Sequence, residues 1–170
     1  MRRSLALSLL GLVGFLSGAC SSMATSPTGP SATQSAIPGA TTDGATGTMT
    51  ELAFCADEIN RYRISVGLPP LARSQPLEAF ARAAAEKDAG VRIAHQHFRD
   101  TNGGGVSHAE TEILWWKGQP VRDVVQKGLA QMWRVGPGGE HYDIITGPYT
   151  QVGCGVFISN NEVTVAQDFR

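Results

Sequence analysis

The 170-residue sequence has no surplus of charge of either sign. It contains 14 Lys and Arg against 15 Asp and Glu, a net charge of −1, and no segment gathers its basic residues into a stripe. Proteins that bind nucleic acid need such a patch, because they must neutralise phosphates. We therefore expect no nucleic-acid partner.

The motifs that identify several enzyme classes are also missing. The sequence has no H-E-x-x-H zinc-protease helix, no G-x-S-x-G nucleophile turn and no phosphate-binding glycine loop followed by Lys and Ser or Thr. Its three cysteines lack the C-x-x-C spacing of zinc and redox sites. No motif marks a serine or cysteine nucleophile, so the sequence does not point to an enzyme through any of these signatures.

A long apolar run is absent too, since Leu5–Leu16 is too short for a stable transmembrane helix. The start, "MRRSLALSLLGLVGFLSGACSS", joins two arginines, this run and small residues, which predicts a signal peptide over residues 1–20. The "SGAC" segment resembles a bacterial lipoprotein signal with Cys20 lipidated, whereas Ser17 and Ala19 equally suit an ordinary signal peptidase. Either alternative exports the protein, as a membrane-anchored lipoprotein (periplasmic or cell surface) or as a secreted protein.

Two further segments follow the signal peptide. Residues 21–48 consist mainly of Ser, Thr, Ala, Gly and Pro with almost no charge, a composition that cannot bury enough surface to fold. We expect a flexible linker there, of the kind that holds a domain away from a membrane surface. Residues 49–170 are enough for one globular domain, which we expect to be a monomer.

Outside the signal peptide, the cysteines are Cys55 and Cys154. An even pair in an exported protein is compatible with a disulfide, which would close a loop of about 100 residues and stabilise the fold by up to ~4–5 kcal/mol. The alternative is two buried free thiols, because both cysteines lie among apolar neighbours.

Apolar periodicity predicts three helices. The first covers "TELAFCADEINRYRISVG", with Thr50 as its cap and Gly67 at its end. The second begins at Ser74 and ends at Gly90, and the third runs from about residue 120 to 135. Helices therefore occupy most of the domain before its last thirty or so residues.

The end of the chain predicts a β-hairpin instead. "QVGCGVFI" and "EVTVAQDF" alternate in the manner of strands and are joined by the turn-forming residues 159–161. Gly153 and Gly155 share one face of the first strand and leave room for a helix or a neighbouring backbone to approach. The expected fold class is α+β, with helices covering an antiparallel sheet.

Three of the four histidines lie close together in "AHQHFRDTNGGGVSH". His95 and His97 form an H-x-H pair, which on a strand places both imidazoles on one face, as in zinc and copper sites. On a helix the same pair would point about 200° apart. Because the pair follows Gly90, we expect an extended segment, with one exposed histidine as the alternative. His108 follows a glycine run and is expected to be a solvated loop residue.

Two glutamates and the last histidine complete the candidate cleft. If "AETEILWW" is extended, Glu110 and Glu112 share a face while Thr111 points the other way. His141 follows the glycine-rich break "GPGG", where loop residues often carry function. Residues alone thus predict an exported α+β domain with a possible His/Glu cleft.

The order of these segments resembles the CAP superfamily (SCP domain), which includes cysteine-rich secretory, antigen 5 and pathogenesis-related proteins. "INRYRISVGLPPL" is similar to the family's N-x-x-R with a G-x-x-P-L connector, here Asn60 and Arg63. "HQHF", "AETEILWW" and "GEHYDIITGPYTQVGCGVFI" fall where the family has its first histidine, its glutamate motif and its second histidine. The resemblance implies an α/β/α sandwich with a central antiparallel sheet ending in a C-terminal hairpin.

The resemblance also implies cleft residues. It favours His97 over His95, Glu112 over Glu110, and His141 as the second histidine, with His97, Glu112 and His141 as possible ligands of zinc or another divalent metal. Glu140 alone could replace the family's second glutamate, and Ile113 stands where an asparagine is usual.

The functional expectation is binding rather than catalysis. Family members bind metals, lipids or partners and only occasionally cleave peptides, so we expect a cleft for an extracellular lipid, glycan or protein ligand. One alternative is a hydrolase or peptidase in which Glu112 orients a histidine that activates water. The other is a secreted structural domain with a vestigial cleft.

Overall fold

The computed structural model describes residues 44–170, so the signal peptide, Cys20 and most of the predicted linker lie outside the described residues. Between residues 44 and 170, no helix combines the length and apolarity needed to cross a membrane. The elements follow in this order: β1 (Ala45–Thr46), α1 (Met49–Ser65), β2 (Ala72–Arg73), α2 (Gln75–Val91), α3 (Gln96–Thr101), a 3₁₀ turn (Asn102–Gly105), β3 (Ala109–Lys117), α4 (Val121–Arg134), α5 (Glu140–Ile145), β4 (Gln151–Ser159) and β5 (Glu162–Phe169).

The strands form one sheet in the order β1-β4-β5-β3, with β2 added parallel to β4 and every other pairing antiparallel. The predicted C-terminal hairpin is confirmed: β4 and β5 pair along their lengths. Asn160 and Asn161 both adopt positive φ, at 52° and 58°, as a tight turn between twisted strands requires. The long strand β3 pairs with β5, and its far side has no strand neighbour among the described residues.

Helices cover both faces of the sheet, which confirms the α/β/α sandwich. On one face α1, α4 and the sheet enclose the main apolar core. On the other face α2 lies unusually close, because a Cβ added at Gly155 would stand 2.1 Å from the Ala81 carbonyl carbon, and one at Gly153 would stand 2.3 Å from the Leu77 carbonyl carbon. The predicted role of these glycines is therefore confirmed. The larger core consists of Cys55, Ile59, Leu71, Val124, Val125, Leu129, Ile145, Val152, Val156, Val165 and Phe169 with their neighbours.

A disulfide and a set of hydrogen bonds from one arginine fasten α1 to the rest of the domain. Of the two alternatives for the cysteine pair, the structure has the bridge, which joins Cys55 on α1 to Cys154 on β4. The Arg63 guanidinium is 1% exposed and donates to the carbonyls of Pro69, Ile145 and Gly147. Burial lowers the Arg63 pKa, yet its three carbonyl partners satisfy the cation. The motif arginine therefore ties α1 to the end of α5.

Several predicted boundaries need correction. The cap of α1 is Thr48 rather than Thr50, because its side chain and Glu51 form a reciprocal capping box. The predicted linker ends earlier than residue 48, since strand β1 pairs with β4. Gly90 does not terminate α2, which continues to Val91 and ends where Arg92 turns left-handed (φ 60°).

Candidate functional site

Glu110 and Glu112 lie on β3 and point to the same side of the sheet, as predicted for an extended segment. Both side chains are 1% exposed. Thr111 points to the opposite face, where its hydroxyl donates to the buried Gln167 side chain at 2.6 Å. Alternation along β3 therefore places two carboxylates in the layer between the sheet and α2.

His95 closes over these carboxylates from the residue that precedes α3. Its φ of 56° is left-handed, which turns the chain so that its backbone N–H donates to Glu112 Oε2 at 2.7 Å. Its Nδ1 lies 2.9 Å from Glu110 Oε1 and 3.6 Å from Glu112 Oε2. One ligand atom from each of these three side chains lies within 4.8 Å of the other two, an arrangement that could hold a metal ion. We call His95, Glu110 and Glu112 the His/Glu cluster.

His97 does not join this cluster. The expectation that the H-x-H segment is extended is wrong, because His95 has a left-handed backbone and His97 lies in the first turn of helix α3. Its backbone N–H donates to Asp88 Oδ1 at 2.8 Å, and its ring packs on Phe80 with 4.8 Å between centroids. Of the two candidate histidines, His95 is thus the one that reaches the carboxylates.

Two aspartates that the sequence analysis did not single out extend the acidic layer. Asp88 on α2 and Asp168 on β5 are both 0% exposed. Asp168 is the cross-strand partner of Glu110, and the Asp88 carboxyl lies within hydrogen-bonding reach of Glu112. Within residues 44–170, the only basic side chain paired with any of these four acids is His95. Buried oxygens without a hydrogen bond are Asp88 Oδ2, Glu110 Oε2, Glu112 Oε1 and both Oδ atoms of Asp168.

Burial and the neighbouring charges raise the pKa of two of these acids, Glu112 and Asp168. Burial, followed by the charges of Glu110 and Asp88, raises the pKa of Glu112 to about 9, although the His95 N–H partly opposes the shift. Burial and the charges of Glu110 and Asp88 likewise raise the pKa of Asp168 to about 8, against a smaller opposing effect of Ser107. Without a cation, both groups therefore hold a proton at neutral pH.

A sequence signal for these aspartates exists. Asp88 continues the inward stripe of α2 at helical spacing from Ala81, Ala84 and Ala85. Asp168 lies two residues after the buried Ala166 on the same face of β5. A charged residue on a stripe of small buried residues is uncommon, so it could have been flagged as unusual.

His141 lies on α5, in the helical layer across the sheet from the acids. It is half-buried and lines a cleft of about 180 Å³ together with Glu112, Trp116 and Met132. The cleft therefore brings His141 toward Glu112, but no group of potential ligands within residues 44–170 includes His141 or His97.

The two remaining candidates are surface residues. His108 is exposed, as expected, and its backbone N–H donates to the Phe169 carbonyl at 2.8 Å. Glu140 is exposed in the first turn of α5 and is absent from the residues that line the His141 cleft. Neither side chain contributes to the acidic layer.

Comparison with known proteins agrees with this architecture. The family profile of the cysteine-rich secretory protein family (CAP) matches residues 56–169. The fold is similar to that of an outer surface protein from Borrelia burgdorferi, at a TM-score of 0.52 and 16% identity over 75% of this chain and 98% of the other. A cysteine-rich secretory protein from Staphylococcus aureus is less similar, at a TM-score of 0.48 and 14% identity over 71% of this chain and 38% of the other. No curated protein matches at the level of sequence. Since the profile covers most of the folded domain, the chain belongs to the CAP family.

Proposed function

We propose that this CAP domain is an exported binding module that holds a divalent cation in its His/Glu cluster and recognises an extracellular ligand in the adjoining cleft. The observation that carries the proposal is the convergence of three ligand atoms within 4.8 Å, beside buried carboxylate oxygens that have no hydrogen-bond partner. Export is supported by the Cys55–Cys154 disulfide, which is typical of oxidising compartments, and agrees with the signal peptide predicted from the sequence. Lipidation at Cys20 would then hold the domain at a membrane.

The donor set fits a divalent cation. Four buried acidic side chains face one another, and one imidazole is their only basic partner between residues 44 and 170. A buried charge without a partner is strongly unfavourable. A cation would replace the protons on Glu112 and Asp168 and satisfy the free carboxylate oxygens. One imidazole and two carboxylates suit Zn²⁺ with an open position, while the excess of oxygen donors also suits harder ions such as Mn²⁺ or Ca²⁺.

The cleft beside the cluster would bind the ligand. Glu112 is shared by the two, since its carboxylate contacts His95 and the same residue of β3 lines the cleft with His141. The cleft walls carry a half-buried imidazole and the apolar surfaces of Trp116 and Met132. This combination of a few polar groups on an apolar wall is usual for small-ligand sites.

The raised pKa of Glu112 argues against a role for Glu112 itself as the general base of a hydrolase. A general base must be ionised at the working pH, whereas burial raises the Glu112 pKa to about 9. In the cation-free protein Glu112 holds a proton, and in the loaded protein its oxygens would contact the metal. Neither state leaves it available to accept a proton from water.

Titration of chelator-treated protein with ZnCl₂, MnCl₂ and CaCl₂ would test the proposal, with calorimetry and melting temperature as readouts. At least one ion should bind and raise the melting temperature. His95→Ala and Glu112→Gln should each weaken binding ~10–100-fold, as loss of a metal ligand or its support does. His97→Ala is the matched control, because its ring packs on Phe80 outside the cluster. If no ion binds, or if His97→Ala and His95→Ala lose binding equally, the cluster is not a cation site.

A further inference from the structure

A second and larger cleft lies at the C-terminal end of α2, beside the turn between β4 and β5. Its volume is about 570 Å³, within the roughly 300–1,000 Å³ range of small-ligand sites. It shares no lining residue with the His141 cleft, and none of its lining residues belongs to the His/Glu cluster. Its principal side chains are Glu86, Arg92, Trp115, Phe157, Ser159 and Glu162.

A β-bulge in β3 directs Trp115 into this cleft. The register with β5 shifts between Ile113 and Trp116, and Trp115 adopts a left-handed φ of 57°. That conformation is strained for a bulky residue, and such strain persists only where the surroundings enforce it. As a result the two consecutive tryptophans separate: Trp116 packs against the main core, while Trp115 lines the cleft. The Trp115 backbone N–H donates to the Thr164 hydroxyl at 3.3 Å, which fixes the bulge.

Arg92 supplies polar donors next to this ring. Its guanidinium carbon lies 4.7 Å from the centroid of the Trp115 ring, and its Nη1 donates to Glu162. The Glu162 contact uses one guanidinium nitrogen, so the other N–H groups of Arg92 are left for a ligand. Glu86, exposed on α2, makes no ion pair with any residue from 44 to 170 and offers an acceptor at the same cleft.

We propose that this cleft binds a saccharide unit of an extracellular glycan. A sugar ring has an apolar C–H face that packs on an aromatic side chain, here Phe157 because the Arg92 guanidinium lies over the Trp115 ring, and a rim of hydroxyl groups. The rim would accept from the free N–H groups of Arg92 and donate to the carboxylates of Glu86 and Glu162, and hydrogen bonds to ionised groups are the stronger kind.

The charge of the cleft selects against other ligand classes. Arg92 and Glu162 neutralise each other, so Glu86 leaves the lining with a net negative charge, which disfavours phosphate and carboxylate ligands. An organic cation would be repelled by the positive charge of the Arg92 guanidinium, which lies over the Trp115 ring. A neutral polyhydroxyl compound meets neither obstacle. This site is independent of the proposed cation site.

The test uses the purified protein labelled with ¹⁵N and titrated with chitotetraose, cellotetraose and maltotetraose. The chain has three tryptophans, so three indole N–H signals report separately on this cleft (Trp115), the His141 cleft (Trp116) and the core (Trp133). At least one tetrasaccharide should shift the Trp115 signal and leave the Trp133 signal in place. Arg92→Gln should weaken that binding ~10-fold, the loss expected for a hydrogen bond to a charged group.

Arg122→Gln is the matched control, because Arg122 lies over an aromatic ring, Phe54, in the same manner but is not part of the cleft. Arg122→Gln should bind the saccharide with the affinity of the wild type. Glu86→Gln should weaken saccharide binding without altering the fold. His95→Ala should bind the saccharide normally, so loss of the cation site and loss of this site are distinguishable. The proposal is overturned if no tetrasaccharide shifts Trp115, if Arg92→Gln and Arg122→Gln bind equally, or if a tripeptide library shifts Trp115 where the saccharides do not.

Discussion

The acidic layer should make the cation-free protein less stable as the pH rises. In the unfolded chain Glu112 ionises near 4.5, whereas in the folded protein its pKa is about 9. Between these values the folded protein holds a proton that the unfolded chain has released, so stability is greatest at low pH and falls as the pH rises. Asp168 adds to the same effect, since its pKa rises from 3.8 to about 8.

The magnitude follows from the two shifts. Each pH unit in this window changes the free energy of unfolding by ~1.4 kcal/mol for one proton, so Glu112 alone would lose up to ~4 kcal/mol between about pH 5 and about pH 8. Glu112 and Asp168 both interact with Glu110 and Asp88, so their contributions do not add fully. We expect a combined loss of about 4 kcal/mol, which for a domain of this size lowers the melting temperature by roughly 15 °C.

Scanning calorimetry in excess chelator at several pH values measures this slope. Glu112→Gln cannot ionise, so its stability should fall less steeply with pH than that of the wild type, and it should melt above the wild type at pH 8. Glu86 is an exposed glutamate on α2, so Glu86→Gln is the control and should keep the wild-type dependence of melting temperature on pH. A melting temperature that stays constant across this range in the wild type, or a slope unchanged by Glu112→Gln, would refute the account of the buried acids.

Three further predictions concern the framework around the site. Replacing both Cys55 and Cys154 by Ser should lower the free energy of unfolding by about 4 kcal/mol, since the bridge spans a sequence separation of 99 residues; chemical denaturation measures it. Gly155→Ala should prevent folding or lower the free energy of unfolding by more than about 3 kcal/mol, because the new Cβ would clash with the α2 backbone. A Cβ at Gly90 meets open space, so Gly90→Ala should leave the stability unchanged or raise it, as measured by circular dichroism. Arg63→Met should lower the free energy of unfolding by about 3 kcal/mol, because three carbonyl groups lose their donor. Proteolysis within α5 should also become faster.

The hairpin and the three long helices, α1, α2 and α4, were predictable because each depends on local pattern. Alternation with two asparagines at a turn specifies β4 and β5, and the glycines of β4 indicated the close approach of a helix or a neighbouring backbone. The predicted helix ends were less accurate: Thr50 was predicted to cap α1, whereas Thr48 forms the capping box. Such competition is decided by side-chain geometry, which residue types alone do not specify.

The composition of the site was harder to predict, because it depends on one backbone angle and one strand pairing. His95 has a left-handed φ, so helix α3 begins after it, at Gln96, and includes His97 but not His95. Nothing in "AHQHF" requires that angle. Asp168 enters the acidic layer only because β3 pairs with β5 in a register that sets it opposite Glu110. Long-range register of this kind is not encoded in a short motif.

Packing and chemistry depend on the same small residues. Gly153 and Gly155 let α2 approach the sheet at backbone distance, and Ala81, Ala84, Ala85 and Ala166 fill the interface without side-chain bulk. That approach removes water from the carboxylates at the end of the interface, and burial is the largest cause of the raised pKa of both Glu112 and Asp168. A looser interface would solvate the acids, return them to ordinary carboxylates and weaken their attraction for a cation. The glycines of β4 therefore stabilise the fold and create the electrostatic condition that makes the His/Glu cluster a candidate cation site.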